Sequence, residues 1–585
     1  MQRCKYFLLS KGKTSNGSNL FICKKKNEIF LSSNICNSCE NFTLEENINN
    51  SKNENKNLES SNKDYNKEED ILKLFPFKEF RTYQKEVLIK SYDNLSKGKN
   101  IILSAPTGFG KSAVNITFCR HYNKSYYVVA TKNLQDQIEE KFGRYVSILK
   151  GRSNYICNIT REPAKDCIKQ HKICPYDKEH LFCDNCKHPC QCKYCEYDRA
   201  KKEAEHAKIV VTNISMLMTA EFLTKRDLII VDEAHELEDT IRSNISITFR
   251  KDKVEKFGLP KLPYYDDFGR YILFLQKYRD ELKVRQENLL KEIREETSKG
   301  ITTSRISRIN DINEINEMID KIDFILDDYK QFKEEWGIKK SDTEISFFPI
   351  IAKRFLNKVL GKGDRFVLSS ATPPFKEELG SFGGNLEIIA VPSSFPVRNR
   401  PIYLDYVGSM SFSNREKTIP KAAEKIKELA TDRTIVHCHS YKTANGIARN
   451  LKDLGLDYIL QREGHREEDL ERFKKKKSNI FLSVNMDDGI SLDDDICRVN
   501  ILAKVPYPNF KDPQIEKRRK LEGDRFIDII VTRKIAQAYG RATRSENDWS
   551  RFYILDGHDS IFSIRILNFS LIKIKSSFRN GLKRR

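Results

Sequence analysis

At 585 residues the chain is longer than a single module, and at roughly 150 residues per domain it has material for about four, each able to bury a core. Lys and Arg number 104 against 83 Asp and Glu, and the resulting net charge of +21 suits a polyanionic partner, nucleic acid ahead of an anionic membrane surface. The apolar runs at 228–231 and 527–531 fall far short of the roughly 18 residues of a membrane span, and MQRCKYFLLSKGK is too quickly charged for a signal peptide, so an intracellular protein with no membrane association is expected.

Residues 1–44 carry Cys4, Cys23, Cys36 and Cys39 around the strand-like runs NLFIC and NEIFL; a zinc ion and ordinary reduced thiols are both open readings. Residues 45–70 are almost devoid of apolar side chains and read as a flexible linker, since they cannot offset their chain entropy by burial. From residue 71 a helical pattern, YQKEVLIKSYDNL, leads to the short strand NIILSAP, a glycine-containing turn and a helix from about Lys111. The strands YYVVAT, KIVVTN and DLIIVDE follow in the alternating rhythm of a parallel-sheet α/β domain over 71–249.

Eight of the 15 cysteines fall between Cys157 and Cys195; in a reducing compartment such crowding points to metal rather than disulfides. Residues 250–345 break the rhythm. Leu275, Tyr278, Leu282, Leu289 and Ile293 keep helical spacing, as do Ile306, Ile309, Ile312, Ile315, Ile319, Ile322 and Leu326, which predicts an inserted antiparallel helical hairpin. The first α/β domain resumes over 346–400 with RFVLSSATPP. A second α/β series over 401–565 runs through RTIVHCHS, NIFLSVN, VNILAKVP and RFYILDG, ahead of a basic tail at 566–585.

Three segments carry chemistry. Ala105, Pro106, Thr107, Gly108, Phe109, Gly110, Lys111 and Ser112 lie between a strand and a helix, with alanine in place of the usual first glycine. Glycines let backbone N–H groups face a phosphate, Lys111 adds a cation near the β- and γ-phosphates, and Ser112 can ligate Mg²⁺. Asp232 and Glu233 end an apolar strand. Alone they read as a helix N-terminus; about 120 residues after a phosphate loop they read as a Mg²⁺ ligand and a group that orients the attacking water. Gln537, Arg541 and Arg544 place two arginines three residues apart on one side of an expected helix, a solvated basic face when taken alone and a charge-neutralising pair when brought to a γ-phosphate.

In order along the chain, APTGFGKS, ATKNLQDQ, VDEAH, SSATPP, VNMDDGISL and QAYGRATRS resemble the motifs of superfamily 2 helicases. The cysteine-rich insert between the second and third narrows the resemblance, which covers about 75–560, to the XPD/DinG family of iron-sulfur DNA helicases. The resemblance implies an α/β fold of two RecA-like parallel-sheet motor domains, with an iron-sulfur insert at about 150–200 and an arch-like helical insert. It also implies ATP-dependent unwinding with 5′ to 3′ movement on single-stranded DNA, forked DNA as substrate, and ATP, Mg²⁺ and a 4Fe-4S cluster as cofactors.

By the same resemblance Gln84 contacts adenine, Lys111 and Ser112 hold phosphate and Mg²⁺, and Asp232 and Glu233 form the metal and water-activating pair. His235, Ser369, Ala371, Thr372 and Gly489 couple hydrolysis to strand binding, and Gln537, Arg541 and Arg544 occupy coupling and arginine-finger positions. Ser491 stands where the family has an acidic residue, with Asp493 two positions on. Cys157 and Cys195 match the outer cluster ligands. Cys183 and Cys186 are assigned as the inner pair because a CxxC can reach one cluster from a single turn, with Cys174 and Cys190 in reserve. Spacing alone leaves zinc open, since Cys183, Cys186, Cys192 and Cys195 make two CxxC pairs, and an additional Zn²⁺ on the remaining cysteines is compatible with the cluster. Two alternatives stand beside the DNA helicase: an RNA helicase, and a metal-dependent nucleic-acid-binding protein with weak ATPase activity.

Overall fold

A computed structural model describes the strands within 7–30, residues 69–557 apart from 157–194, 266–267, 296–302, 394–395, 476, 485–493 and 541–547, and residues 582–583. Residues 1–66 and 67–585 are separate compact units. In the first, Phe7–Lys13, Asn19–Cys23 and Glu28–Phe30 pair as an antiparallel meander.

The second unit contains two seven-stranded parallel sheets. The first runs, in spatial order, Leu386–Ala390, Asn100–Ser104, Gly363–Ser370, Arg226–Asp232, Ser125–Val129, Ile209–Asn213 and Ser147–Ile148. Its central strands are nearly continuous Ile, Leu, Val and Tyr because helices cover both faces, and the side chains at 125–129 and 228–231 are all but fully buried. The second runs Ile459–Leu460, Ile480–Ser483, Thr434–His437, Val499–Leu502, Arg551–Asp556, Ile402–Gly408 and Leu582–Lys583. The last of these lies in the stretch read from sequence as a tail, yet it pairs in parallel with Ile402 and Tyr403.

Between the two halves of the first sheet's sequence sit the helices Phe268–Glu295 and Thr303–Gln331. Leu275, Tyr278, Leu282, Leu289 and Ile293 bury against Ile312, Ile315, Ile319, Ile322 and Leu326, as helical spacing requires. The side chains of Ile306 and Ile309 lie outside the described residues. A three-stranded antiparallel sheet, Trp336–Lys340, Glu344–Pro349 and Ile247–Arg250, seats the pair, an element the helical periodicity did not reveal. Phe347 and Phe249 of that sheet meet the rings of Tyr271 and Tyr278 edge to face. One continuous core joins these helices to Ile229 and Val231 of the first parallel sheet. Among the described residues no helix is long and apolar enough to cross a membrane.

Candidate nucleotide site and motor interface

Parallel pairing brings the chemistry together. Asn100–Ser104, Gly363–Ser370 and Arg226–Asp232 are adjacent strands, with Ser370 in register with Ser104 and Ser369 with Asp232, so the phosphate loop, the carboxylate pair and the SSAT segment leave one edge of the sheet side by side. This is the carboxyl edge, where open α/β sheets bind ligands.

The loop turns at Gly108 and Gly110, with φ of 84° and 83°, a region that glycine enters without steric cost. Gly110 precedes the helix Lys111–His121, whose Lys111 and Ser112 amides open the first turn and can face an anion, while the Ala113 amide donates to the Gly110 carbonyl at 3.1 Å. The Ala105 amide donates to the Ser370 carbonyl at 3.1 Å, tying the loop to the neighbouring strand. Pro106 accepts from the Phe109 amide, and Phe109 is buried. Gln84 is only 2% exposed. Its amide donates to the Phe109 carbonyl at 2.7 Å, and Arg81 donates to the Gly108 carbonyl at 2.7 Å. In this structure Gln84 therefore clamps the phosphate loop from behind.

Lys111 lies 3.8 Å from Glu233. Asp232 is buried and accepts from the Tyr127 hydroxyl at 2.6 Å. Burial, followed by the neighbouring Glu233 charge, pushes the Asp232 carboxyl up to about 6, with Lys111 and Tyr127 opposing the shift. A divalent cation would stabilise the charged form of such a carboxylate. Glu233 adopts a left-handed backbone, φ 51° and ψ 48°, a conformation that costs a non-glycine residue about 1–3 kcal/mol. Here it turns the second carboxylate toward Lys111.

The second sheet's domain reaches this site through the helix Arg525–Tyr539. The Gln537 amide nitrogen is 2.7 Å from His235 Nε2, and His235 Nδ1 is 2.9 Å from Ser370 Oγ, which in turn donates to Glu233 at 3.4 Å. An amide NH₂ only donates, so His235 accepts at Nε2 and carries its proton at Nδ1. The result is a directed chain from Gln537 through His235 and Ser370 to Glu233. A second crossing joins Thr107 Oγ1 to the Gly540 carbonyl at 3.4 Å. Around these contacts Arg533 pairs with Glu378 and Arg525 with Glu377, each at 2.9 Å.

Of the two adjacent serines, Ser370 meets His235; Ser369, one position back on the strand, faces the other side, and both are buried. The helix bearing Gln537 is described to Tyr539, and the Gly540 amide still donates to the Ala536 carbonyl. Arg541 and Arg544 themselves, with Gly489, Ser491 and Asp493, lie outside the described residues. So do Cys157, Cys183 and Cys186. Cys195 is buried at the start of the helix Glu196–His206, and among the described residues no three metal-ligating side chains converge. Tyr127 is the residue that sequence reasoning missed. Its signal was the run of hydroxyl-bearing Ser125, Tyr126 and Tyr127 in a fully buried central strand.

Two RecA-like parallel-sheet domains, with a glycine-containing loop and paired carboxylates on one and a helix reaching in from the other, form an arrangement that could link a bound nucleotide to domain movement. Residues 77–258 match the family model described as type III restriction enzyme, res subunit, and residues 423–559 the one described as helicase C-terminal domain. The chain is 20% identical to the ATP-dependent DNA helicase YoaA of Escherichia coli over 83% of its own length and 92% of that protein. It is 31% identical to the probable ATP-dependent helicase MJ0942 of Methanocaldococcus jannaschii over 30% of its length, a match spanning only 31% of that relative. Its fold superposes on a solved XPD helicase with a TM-score of 0.57 at 16% identity, over 82% of this chain and 96% of that one. The structure of S. tokodaii Xpd4 gives 0.54 at 15% identity, over 86% and 100%. One chain thus carries a res-subunit-like segment and a helicase C-terminal-like segment, on a fold that resembles the solved XPD structures.

Proposed function

We propose that this protein is an ATP-dependent DNA helicase that moves 5′ to 3′ along single-stranded DNA and opens forked duplexes inside the cell. The observation that carries the reading is the hydrogen-bond chain from Gln537 to Glu233, which makes the water-orienting carboxylate answer to the position of the second motor domain. ATP would be held by the first-turn amides, Lys111 and Ser112, with Mg²⁺ on Ser112 and Asp232, and Glu233 would orient the attacking water. Arg541 and Arg544, one and four positions after Gly540 in sequence, are the proposed arginine fingers; the Gly540 contact with Thr107 supports this reading. The net charge of +21 supports a salt-sensitive grip on phosphates.

Cys157, Cys183, Cys186 and Cys195 are the proposed ligands of a 4Fe-4S cluster, with zinc on remaining cysteines as a compatible addition. The four cysteine ligand types fit either group, and iron, labile sulfide and zinc analysis of anaerobically purified protein decides between them. Zinc without iron would remove the cluster.

The function is tested by unwinding of 5′-tailed and 3′-tailed DNA duplexes and of matching RNA duplexes, with and without ATP. Opening of 5′-tailed DNA alone is expected; opening only from a 3′ tail overturns the polarity, and opening of RNA alone overturns the substrate. Lys111→Ala should lower hydrolysis by on the order of 10³-fold while single-strand binding persists, because it removes a charge contact to the transferring phosphoryl group.

A further inference from the structure

The helix Pro513–Glu522 of the second motor domain carries an arginine that neither the phosphate site nor the motifs use. Arg518 is 7% exposed. Its guanidinium lies 3.0 Å from Glu238 of the first motor domain and 2.6 Å from Glu522 of its own helix, with the ring of Phe526 beneath it. Glu238 belongs to Leu237–Ile245, the helix that directly follows the carboxylate pair. Its other oxygen takes Arg242 at 2.8 Å and the Ala352 amide at 3.4 Å, so it is held in place before Arg518 arrives. Glu522 is likewise held by Lys353 of the first motor domain at 3.3 Å. The same helix touches the base of the helical insert: Lys517 donates to the Trp336 carbonyl at 3.2 Å, and Asp512 at its N-cap pairs with Lys339 at 3.0 Å.

We infer that Arg518 is a positioning residue that fastens the second motor domain to the helix following Asp232 and Glu233 and, through the same short helix, to the sheet under the helical insert. Its fork spans one carboxylate from each motor domain, a geometry that a lysine cannot reproduce. Because the pair is buried, breaking it leaves the Glu238 oxygen that faces Arg518 without that partner while Arg242 holds the other, so the interface is favoured with Arg518 in place. Arg518 thereby fixes where Gln537 presents itself to His235, since Pro513–Glu522 leads directly into Arg525–Tyr539, the helix that carries Gln537. The inference rests on the helicase reading for its kinetic consequence but not for the docking itself.

The test compares Arg518→Ala, Arg518→Lys, Glu238→Gln and the double variant Arg518→Ala/Glu238→Gln, using full-length protein. Amide exchange without nucleotide should quicken in 237–245 and 336–340 of Arg518→Ala while 434–437, in the second sheet, stays protected. With single-stranded DNA present, kcat for ATP hydrolysis should fall about tenfold, with KM for ATP within about twofold, since misplacing a group far from the chemistry costs rate rather than nucleotide contacts. Arg518→Lys should lie between, and the double variant should be no slower than Arg518→Ala, because both changes remove one interaction. Unchanged exchange in 237–245, unchanged kcat in a folded variant, or losses that multiply in the double variant would each overturn the proposal. Should Arg518→Ala fail to fold, Arg518→Lys, Glu238→Gln and their double variant form the same cycle. A wild-type protein that hydrolyses no ATP would refute the helicase reading, and the exchange comparison would still decide the docking.

Discussion

Asp232 and Tyr127 show how one hydroxyl can tune a buried carboxylate. Tyr127 stabilises the charged form of a carboxyl that burial and Glu233 both push toward neutrality. Tyr127→Phe keeps the packing and deletes the bond, at about 1–2 kcal/mol for a hydrogen bond to a charged group. The expected outcome is a several-fold higher Mg²⁺ requirement for hydrolysis with the melting temperature nearly unchanged, measured by Mg²⁺ titration of the ATPase rate. His439, on the turn after Thr434–His437, behaves oppositely to a surface histidine. Burial first, then Lys534 and Lys504, lower its pKa from 6.5 to about 3. Above pH 6.5 it is neutral in both folded and unfolded chains and contributes no pH dependence; as pH falls from 6.5 toward 3, only the unfolded chain takes up the proton, and stability is lost at up to about 1.4 kcal/mol per pH unit. His439→Asn, which tolerates the left-handed backbone at φ 49°, should flatten this slope. Urea midpoints of both proteins at pH 7, 6 and 5 that shift in parallel would contradict the assignment.

Among the elements, the phosphate loop depends on a close approach that only glycine permits. A Cβ at Gly110 would lie 2.6 Å from the Gln84 amide nitrogen, at a φ of 83° that itself costs an L-residue about 1–2 kcal/mol. Gly110→Ala should displace Gln84 from the Phe109 carbonyl and abolish nucleotide binding along with hydrolysis, as titration with a fluorescent ATP analogue would show; tight binding with normal turnover would mean the loop is not set by this clamp. The strand, turn and helix of this loop were legible because their residues are consecutive and their types are dictated locally. The SSAT segment was legible only as a motif. Which serine meets His235 depends on the pleat of Gly363–Ser370 and its register with Arg226–Asp232, and the sequence order of two adjacent serines holds no record of that.

For the whole molecule, the helical insert is not an appendage on a finished domain. Its buried Leu275, Tyr278, Ile312 and Ile322 share one core with Ile229 and Val231 of the sheet that carries Asp232. Replacing 268–331 by a short linker should therefore expose part of the first motor domain's core, at roughly 1.5–3 kcal/mol per large side chain uncovered. The truncated protein is expected to melt at a clearly lower temperature or fail to accumulate; a melting curve matching the full chain would make the insert an independent module.

By itself the sequence determined the two α/β series and the helical hairpin between them, and singled out Lys111, Asp232 and Glu233 as the proposed nucleotide residues, since each is written in contiguous periodicity or in a short run whose chemistry needs its neighbours in order. Tertiary structure alone decided that Tyr127 reaches Asp232, that Ser370 rather than Ser369 joins the chain to Glu233, that Gln84 lies behind the phosphate loop, and that Arg518 meets Glu238 across 280 residues. These contacts join segments distant in sequence, and their partners are fixed by strand order, register and domain docking. Those are properties of the folded chain's packing, which no local window of residue types encodes.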